Sequence, residues 1–414
     1  MQSNKLDVKK TLLLSFGFFA SSIAWSVYNS FVPQLLEGFI KSTTLIGLIM
    51  TFDNIFGVIF QPLFGNLSDR TRTRFGRRMP YIFVGLPICA VAFTLIPHMD
   101  SLWSLMAVLI VFTFVMSAWR SPVVALMPDI TPGPLRSQAN GIVNLMGGLG
   151  SLIAFFAGGM LFKAGGFPLP FLMSAVMMLL ALAVLALFVR EPKEAYEPEE
   201  KAKKSDVKLT KEEKKSLLFI LFGVFFWFTG YNAVETFFTL YATNTLGMDP
   251  GSAAMTLAVF SLTFLGFAVP AGFIGAKIKR RRAILIGLSG LVVLFFPMIF
   301  LANAWITRIC LFMGGFFWAL VNINSLPMVV RLSGEEKVGT FIGYYYFFSF
   351  SSQIVSPVLF GFIRDMVGHY KVLFLYAVIA FALAGASLFF VKHGEDEKAA
   401  DTSSAAQVLG GLDD

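Results

Sequence analysis

The sequence predicts an all-α membrane protein with twelve transmembrane helices. The chain of 414 residues is 56% hydrophobic and only 14% charged, and its mean hydropathy is +0.73. In soluble domains roughly a quarter of all residues are charged. The much lower charged fraction here indicates that most of this chain lies in a membrane rather than in water. Apolar runs of about 20 residues, the length that crosses a bilayer core, recur almost from end to end.

Each predicted helix is an apolar run bounded by charges or by Pro and Gly turns. In chain order the predicted helices 1 to 12 are Thr11–Leu36, Thr44–Asn66, Pro80–Pro97, Leu102–Met127, Gln138–Phe162, Pro168–Val189, Leu217–Tyr241, Ser252–Ala276, Ala283–Ala302, Trp305–Val330, Val338–Ile363 and Tyr370–Val391. The first run lacks a small-residue cleavage site, so we expect it to be a retained helix rather than a signal peptide.

A mixed-charge stretch divides these helices into two groups of six. We expect an amino-terminal six-helix bundle over 1–189, a cytoplasmic charged linker over 190–216 and a carboxy-terminal six-helix bundle over 217–392. The linker is too polar to bury a core of its own. The polar tail over 393–414 is expected to be disordered and cytoplasmic.

The distribution of Lys and Arg predicts the orientation. Cytoplasmic loops carry an excess of basic residues, and with both termini inside only five of the 33 basic residues fall on the outer side. Those five are Lys41, Lys163, Arg308, Arg364 and Lys371. The sequence therefore predicts a multi-pass protein of the cell (cytoplasmic) membrane with both termini in the cytoplasm.

The two halves also resemble one another, as in transporters built from internal repeats. Trp119 and Pro128 of predicted helix 4 lie 199 residues before Trp318 and Pro327 of predicted helix 10. The Tyr-Asn pair of helix 1 recurs in helix 7, and basic clusters follow helices 2 and 8. A pseudo-symmetric pair of six-helix bundles is the expected architecture.

Composition excludes several other classes of function. Cys89 and Cys310 both lie inside apolar runs, without the ligands of a metal site or the pattern of a disulfide framework. The basic residues lie in short loops, which is typical of topology signals rather than of nucleic-acid binding. We expect no metal, no cofactor and no nucleic-acid partner, and no clustered carboxylates indicate a membrane-embedded enzyme. A sensor with a soluble output domain is disfavoured by the short linker.

Three charged residues lie inside predicted helices, namely Asp53, Arg120 and Glu235. A charge at the centre of a transmembrane helix costs about 2.5 to 3.5 kcal/mol on insertion scales and usually marks function. We expect the three to line a water-filled cavity and to couple transport to protons, since a carboxylate can exchange a proton as its surroundings change. The alternative is a static Asp53–Arg120 bridge, with Glu235 reaching the outer surface.

A set of amide and aromatic side chains offers candidate contacts for a sugar, whose hydroxyls pair with amides and whose C–H face packs on aromatic rings. The candidates are Trp25, Tyr28, Asn29, Asn144, Tyr231, Asn232, Trp318, Asn322, Asn324, Tyr345 and Gln353. The alternative for each amide is an ordinary hydrogen bond between helices. For each ring the alternative is packing.

The stretch from Gln61 to Pro80 includes Gly-Asn-Leu-Ser-Asp-Arg at 65–70 and Arg-Phe-Gly-Arg-Arg at 74–78. It resembles the loop signature of the major facilitator superfamily. Its elongated form is similar to that of sucrose-proton symporters and the glycoside-pentoside-hexuronide:cation symporters. The resemblance implies a major-facilitator fold and a sugar-like substrate. We expect a cytoplasmic gate formed by Asp69, Arg70, Arg77, Arg78 and Asp129; the alternative is that these arginines serve topology alone.

The combined expectation is a monomeric secondary transporter, not an enzyme, that takes up a sugar or glycoside with protons by alternating access. Its partners would be the small sugar-like solute, protons and the lipid bilayer. Export or facilitated diffusion of another small polar solute by the same fold is the closest alternative.

Overall fold

The computed structural model of the chain describes residues 6–191, 210–331 and 338–391. Within these ranges twelve helices are long and apolar enough to cross a membrane, which confirms the predicted number. Most of the predicted linker and the whole of the predicted tail over 393–414 lie outside the described residues.

The helices are numbered α1 to α12 in chain order, and α2 consists of two segments. Their bounds are Val8–Glu37 (α1), Thr43–Met50 and Phe52–Arg70 (α2), Met79–Leu95 (α3), Leu102–Ile130 (α4), Arg136–Gly165 (α5), Pro168–Phe188 (α6), Lys211–Leu246 (α7), Pro250–Ile278 (α8), Arg280–Phe295 (α9), Ala304–Arg331 (α10), Val338–Val367 (α11) and Val372–Phe389 (α12).

The second helix is interrupted at Thr51, where the sequence predicts one continuous helix. The backbone N–H of Thr51 donates to the carbonyl oxygens of both Gly47 and Leu48 at 3.2 Å, and its hydroxyl donates to Leu48 at 2.7 Å. This tightened turn ends the first segment. Asp53 consequently lies in the first turn of the second segment.

The seventh helix begins at Lys211, within the predicted linker, six residues before the predicted start at Leu217. A capping box explains the extension. The backbone N–H of Glu213 donates to the Thr210 hydroxyl at 3.2 Å, and the Glu213 carboxylate accepts from the Thr210 backbone N–H at 2.8 Å. These reciprocal bonds satisfy two N–H groups that a helix start leaves free. Because residues 211–215 are all charged, a prediction based on hydropathy does not include them in the helix.

Aromatic packing forms the core of the first six helices. α1 packs against α4, α5 and α6, and α3 packs against α4 and α6. The Phe93 ring of α3 lies 4.7 Å from that of Phe112 in α4 and 4.8 Å from that of Phe171 in α6. All three side chains are fully buried, so they fix the position of α4, which carries Arg120.

The described residues form two compact units. Unit 1 comprises those of 1–199, 235–261 and 357–370, and unit 2 comprises those of 200–234, 262–356 and 371–414. Segments of α7, α8 and α11 therefore pack with the first six helices. We call the face of unit 1 at which α6 ends the linker face, and the other face of unit 1 the opposite face.

Candidate functional site

Asp53 is the centre of the charged cluster in unit 1. It is half-buried at the start of the second segment of α2. One of its carboxylate oxygens accepts from the backbone N–H of Asn54 at 2.7 Å and from the Asn54 side-chain amide at 2.8 Å. The break at Thr51 supplies this position, since the first turn of a helix favours a carboxylate.

Arg120 of α4 and Glu235 of α7 belong to the same cluster. Asp53 interacts electrostatically with both of them. The Glu235 carboxylate accepts a hydrogen bond from the side chain of Asn29 in α1. The structure thus places the three charged residues predicted from the sequence together in unit 1, with one predicted amide beside them.

The cluster differs from a static ion pair. Among the described residues, no ion pair within 4.0 Å joins Arg120 to a carboxylate. All three charged side chains are half-buried rather than sealed from solvent. Charges inside a transmembrane helix persist mainly where a cavity or a partner lowers their cost, and Arg120 has no such ion-pair partner among the described residues.

Two predicted aromatic residues of α1 carry buried polar atoms without a protein partner. The Trp25 indole N–H and the Tyr28 hydroxyl are both inaccessible and make no hydrogen bond within the described part of the chain. The Tyr28 ring stacks on Phe112 at 5.8 Å and meets Trp25 edge to face at 5.5 Å. Tyr28 also interacts electrostatically with Asp53. A buried donor without a partner costs about 1 to 3 kcal/mol, so both atoms are candidates to bind a ligand or ordered water.

Unit 2 contains the remaining aromatic candidates. The Tyr231 ring of α7 stacks on Trp318 of α10, with centroids 4.4 Å apart and planes 4° from parallel. Tyr345 of α11 is buried, and its hydroxyl lies 2.8 Å from that of Ser325. Phe228 lies edge-on to both Trp318 and Tyr345. These contacts form one aromatic group on α7, α10 and α11.

Two predicted amides of unit 2 are engaged in packing. The Asn324 amide donates to the backbone carbonyls of Ala271 in α8 and Leu320 in α10, both at 3.0 Å. Asn232 of α7 donates to the Ser352 hydroxyl of α11 at 3.3 Å. Both side chains are buried, so a role in holding helices together accounts for them without a ligand.

Three further candidates differ in exposure. Asn144 of α5 is exposed, whereas Asn322 of α10 and Gln353 of α11 are half-buried. Asn322 lies two residues from Asn324, on a different side of α10 from that buried amide.

Charged residues at the linker face form a second, denser network in unit 1. Arg78 is buried and pairs with Asp69 and with Asp129, the latter at 2.9 Å. Arg77 also pairs with Asp129 at 2.9 Å. The predicted gate residues Asp69, Arg77, Arg78 and Asp129 are therefore in contact, and Arg70 is exposed beside them.

Glu191, three residues after the end of α6, completes this network, and the sequence did not predict it. Its carboxylate accepts from the backbone N–H groups of Arg77 and Arg78 at 2.9 Å and lies 3.4 Å from the Arg77 guanidinium. The turn before them contains Gly76 at φ +106°, where a side chain would meet Glu191. The sequence signal that could have predicted this contact is an acidic residue following the sixth helix, at the same predicted membrane face as the basic loop after the second helix.

The described residues contain no group of three or more His, Cys, Asp or Glu side chains arranged to hold a metal ion.

The model of the Major Facilitator Superfamily matches residues 14–357 and 242–411 of the chain. A multi-drug resistance efflux pump PmrA homolog of Lactococcus lactis subsp. lactis (strain IL1403) is 23% identical, over 94% of each chain. A hexuronate transporter of Bacillus subtilis (strain 168) is 23% identical over 89% of this chain and 91% of its own. An isoprimeverose transporter of Lactiplantibacillus pentosus is 22% identical over 70% of this chain and 63% of its own.

Solved structures with the same fold are more distant in sequence. The nucleoside transporter NupG superposes with a TM-score of 0.72 at 12% identity, covering 92% of this chain and 100% of NupG. An auto-inhibited POT family peptide transporter superposes with a TM-score of 0.70 at 14% identity, covering 95% of this chain and 99% of its own. The family match extends over most of the twelve helices, and the chain belongs to the major facilitator superfamily as a secondary transporter of small molecules.

Proposed function

We propose that the protein takes up a sugar or glycoside together with protons, by alternating access. The observation that supports this proposal best is the Asp53 carboxylate, half-buried within a transmembrane helix and near Arg120 without a direct ion pair. Burial disfavours the charged carboxylate and an adjacent guanidinium favours it. A change in the distance between these two groups therefore converts a conformational change into uptake or release of a proton.

Glu235 provides a second acidic group that links the proton site to α1. Its hydrogen bond from Asn29 joins the two helices that the internal repeat makes equivalent. A carboxylate and an amide side by side match the vicinal hydroxyls of a sugar. We assign Asn29 to substrate binding and Glu235 to both substrate binding and proton coupling.

The sugar-like substrate is supported by residue types and by relatives. The unpartnered N–H of Trp25 and hydroxyl of Tyr28 offer hydrogen bonds beside an aromatic surface. Two distant relatives are a hexuronate transporter and an isoprimeverose transporter. Trp318, Tyr231 and Tyr345 form the corresponding aromatic surface of the second half under this proposal.

The orientation and organisation of the chain belong to the same proposal. The basic residues predict that the linker face is cytoplasmic, with both termini inside. The two six-helix halves, 1–189 and 217–392, then move relative to each other in a monomer.

Export of another small polar solute is the second candidate function. It is favoured by the similarity to a multi-drug resistance efflux pump homolog and to the multidrug resistance protein MdtG of Proteus mirabilis (strain HI4320), which is 27% identical over 48% of this chain. A proton-linked exporter would use the same carboxylates with the opposite direction of substrate flow.

Transport assays in proteoliposomes separate these possibilities. We expect an inwardly directed proton gradient to drive accumulation of labelled isoprimeverose, hexuronate or a disaccharide. Asp53→Asn abolishes accumulation while leaving exchange of substrate for substrate, because the amide holds no exchangeable charge. Asp100→Asn, an exposed acid in the loop between α3 and α4, is the matched control and should transport normally. Absence of uptake of every sugar, with or without the gradient, would exclude the sugar proposal.

A further inference from the structure

Basic residues are concentrated in unit 2 where α8 ends and α9 begins. Residues 262–331 contain seven Lys and Arg residues but no Asp or Glu, and five of the seven lie within 277–282. Lys279 alone separates the two helices, so the basic residues of both helix ends lie side by side. The end of α10 contributes another cation, because Arg331 interacts electrostatically with Arg280.

Most of these cations have no acidic partner in the described part of the chain. Five of them form no ion pair within 4.0 Å there, and we call these five the basic patch: Lys277, Lys279, Arg280, Arg282 and Arg331. Arg280 is half-buried, and the like charge of Arg331 repels it. Burial and a neighbouring like charge both disfavour a cation, so a bound anion would stabilise this arrangement.

The neighbouring Arg281 has a different role, in packing. Its guanidinium donates to the backbone carbonyls of Leu388 and Phe389, at 3.0 and 3.2 Å. Those carbonyls belong to the last turn of α12, where a cation complements the helix dipole. Arg281 therefore fixes the start of α9 against the end of α12, and the basic patch lies on a rigid part of the fold.

The basic loop of the first half differs because acids neutralise it. There Asp69 and Asp129 both pair with Arg78. The offset of 199 residues between the halves places Met328 at the position of Asp129. Ala276 directly precedes the first basic residue of its loop, as Asp69 does in the first half. The second half thus has the cations of the repeat without the acids that bind them.

We propose that the basic patch binds the phosphate group of an anionic membrane lipid. Guanidinium groups donate two parallel hydrogen bonds to phosphate oxygens, and the first backbone N–H groups of α9 favour an anion at the same place. Each basic residue near a layer of anionic lipid adds about fivefold in affinity. The inference goes beyond the proposed function, since it concerns a lipid site rather than the transported solute.

Apolar side chains beside the patch favour a lipid over a soluble phosphate compound. Phe273 lies one turn before Lys277 on α8, and Ile286 lies one turn after Arg282 on α9. Residues four positions apart lie on the same face of a helix. Both apolar side chains are exposed, so acyl chains can contact them while the phosphate group lies on the cations.

Binding of defined lipids to the full chain in detergent tests the proposal. Native mass spectrometry measures the affinity for phosphatidylglycerol, which is anionic, and for phosphatidylcholine, which is zwitterionic. We expect the wild type to bind phosphatidylglycerol about tenfold more tightly than phosphatidylcholine. Arg280→Gln and Arg331→Gln should each lower the affinity for phosphatidylglycerol about fivefold and leave that for phosphatidylcholine unchanged.

Three further variants show whether charge at the patch is responsible. Arg308→Gln is the matched control, because it removes a cation from the other end of α10, where the guanidinium lies 5.0 Å from the Trp305 ring. It should bind phosphatidylglycerol as the wild type does. Ala276→Asp supplies an acid where the first half has one and should weaken binding. Arg280→Lys keeps the charge and should retain most of the affinity.

Competition with inorganic phosphate identifies the source of the phosphate group. Binding of phosphatidylglycerol that persists in millimolar phosphate supports a lipid site, whereas displacement supports the phosphate site and assigns it to a soluble compound. Arg331 is exposed, so Arg331→Gln keeps the test available if Arg280→Gln does not fold.

Equal affinities of the wild type for the two lipids would overturn the proposal, in favour of neutralisation by acids of the chain outside the described residues. Equal losses in Arg331→Gln and Arg308→Gln would overturn it as well. The measurement needs no substrate. A wild-type protein that transports no sugar would therefore refute the proposed function without affecting this result.

Discussion

The two faces of unit 1 are held together by different chemistry. At the linker face, Arg78 and Glu191 are almost sealed, with side chains 5% and 2% exposed, and their charged partners surround them. At the opposite face, Asp365 is 25% exposed and binds mainly hydroxyl and backbone N–H groups. One face is held by buried ion pairs and the other by hydrogen bonds.

The partners differ in their place along the chain as well. Every partner of the linker-face network lies between residues 65 and 191, so the network braces the first half internally. The hydrogen bonds of Asp365 with Ser42, Thr43 and Thr44 join residues 321 to 323 positions apart. Breaking a buried ion pair costs about 3 to 5 kcal/mol, which is compatible with a permanent brace and unfavourable for a contact that opens in each cycle. Latching of the two halves by Asp69 and the arginines remains a prediction.

The largest effect is expected from Arg78→Ala. The change removes the Arg78 guanidinium that pairs with the buried Asp129 carboxylate. The free energy of unfolding should therefore fall by about 3 to 5 kcal/mol. Thermal unfolding in detergent measures the loss. Arg74→Ala removes an exposed guanidinium that packs over the exposed ring of Phe75 at 4.7 Å, and it should cost far less. Equal losses in both variants would show that the network does not brace the fold.

An intermediate effect is expected from Glu191→Ala. The change leaves the backbone N–H groups of Arg77 and Arg78 without their acceptor, at a cost of about 1 to 3 kcal/mol. Glu191→Gln keeps one carbonyl oxygen as acceptor and should lose less. Denaturant or thermal unfolding of both variants checks this order, and an alanine variant as stable as the wild type would contradict it.

The smallest effect is expected from Asn244→Ala at the opposite face. The Asn244 amide donates to both oxygens of Glu37, at 3.0 and 3.1 Å, but the side chain is exposed. Water replaces such bonds, so stability should change by only about 0.5 kcal/mol. A loss as large as that of Arg78→Ala would mean that the two faces are fastened with similar strength.

Hydropathy and charge placement predicted the twelve helices and the members of the charged cluster. Asp53, Arg120 and Glu235 stood out because an ionised group is rare and costly in an apolar helix, and the structure brings them together. The same reasoning could not separate Asn322 from the buried Asn324. Both are amides on one helix, and only the direction of each side chain distinguishes a packing bond from a free amide.

The contact between Asp365 and Ser42 and the position of Glu191 escaped prediction for a different reason. Ser42 and Asp365 lie at helix ends, where polar residues are common, and no periodicity connects positions so far apart in the chain. Glu191 lies in a stretch whose charges resemble any solvated linker. The break at Thr51 depends on a local hydroxyl bond that apolar patterning does not record.

Proton movement driven by substrate tests the central claim most directly. In proteoliposomes that contain a pH-sensitive dye and no imposed gradient, addition of a transported sugar should acidify the lumen in the wild type. Asp53→Asn should bind the sugar without acidification, and Asp100→Asn should behave as the wild type. Sugar entry without acidification in the wild type, or full acidification in Asp53→Asn, would contradict a proton-coupled carrier centred on Asp53.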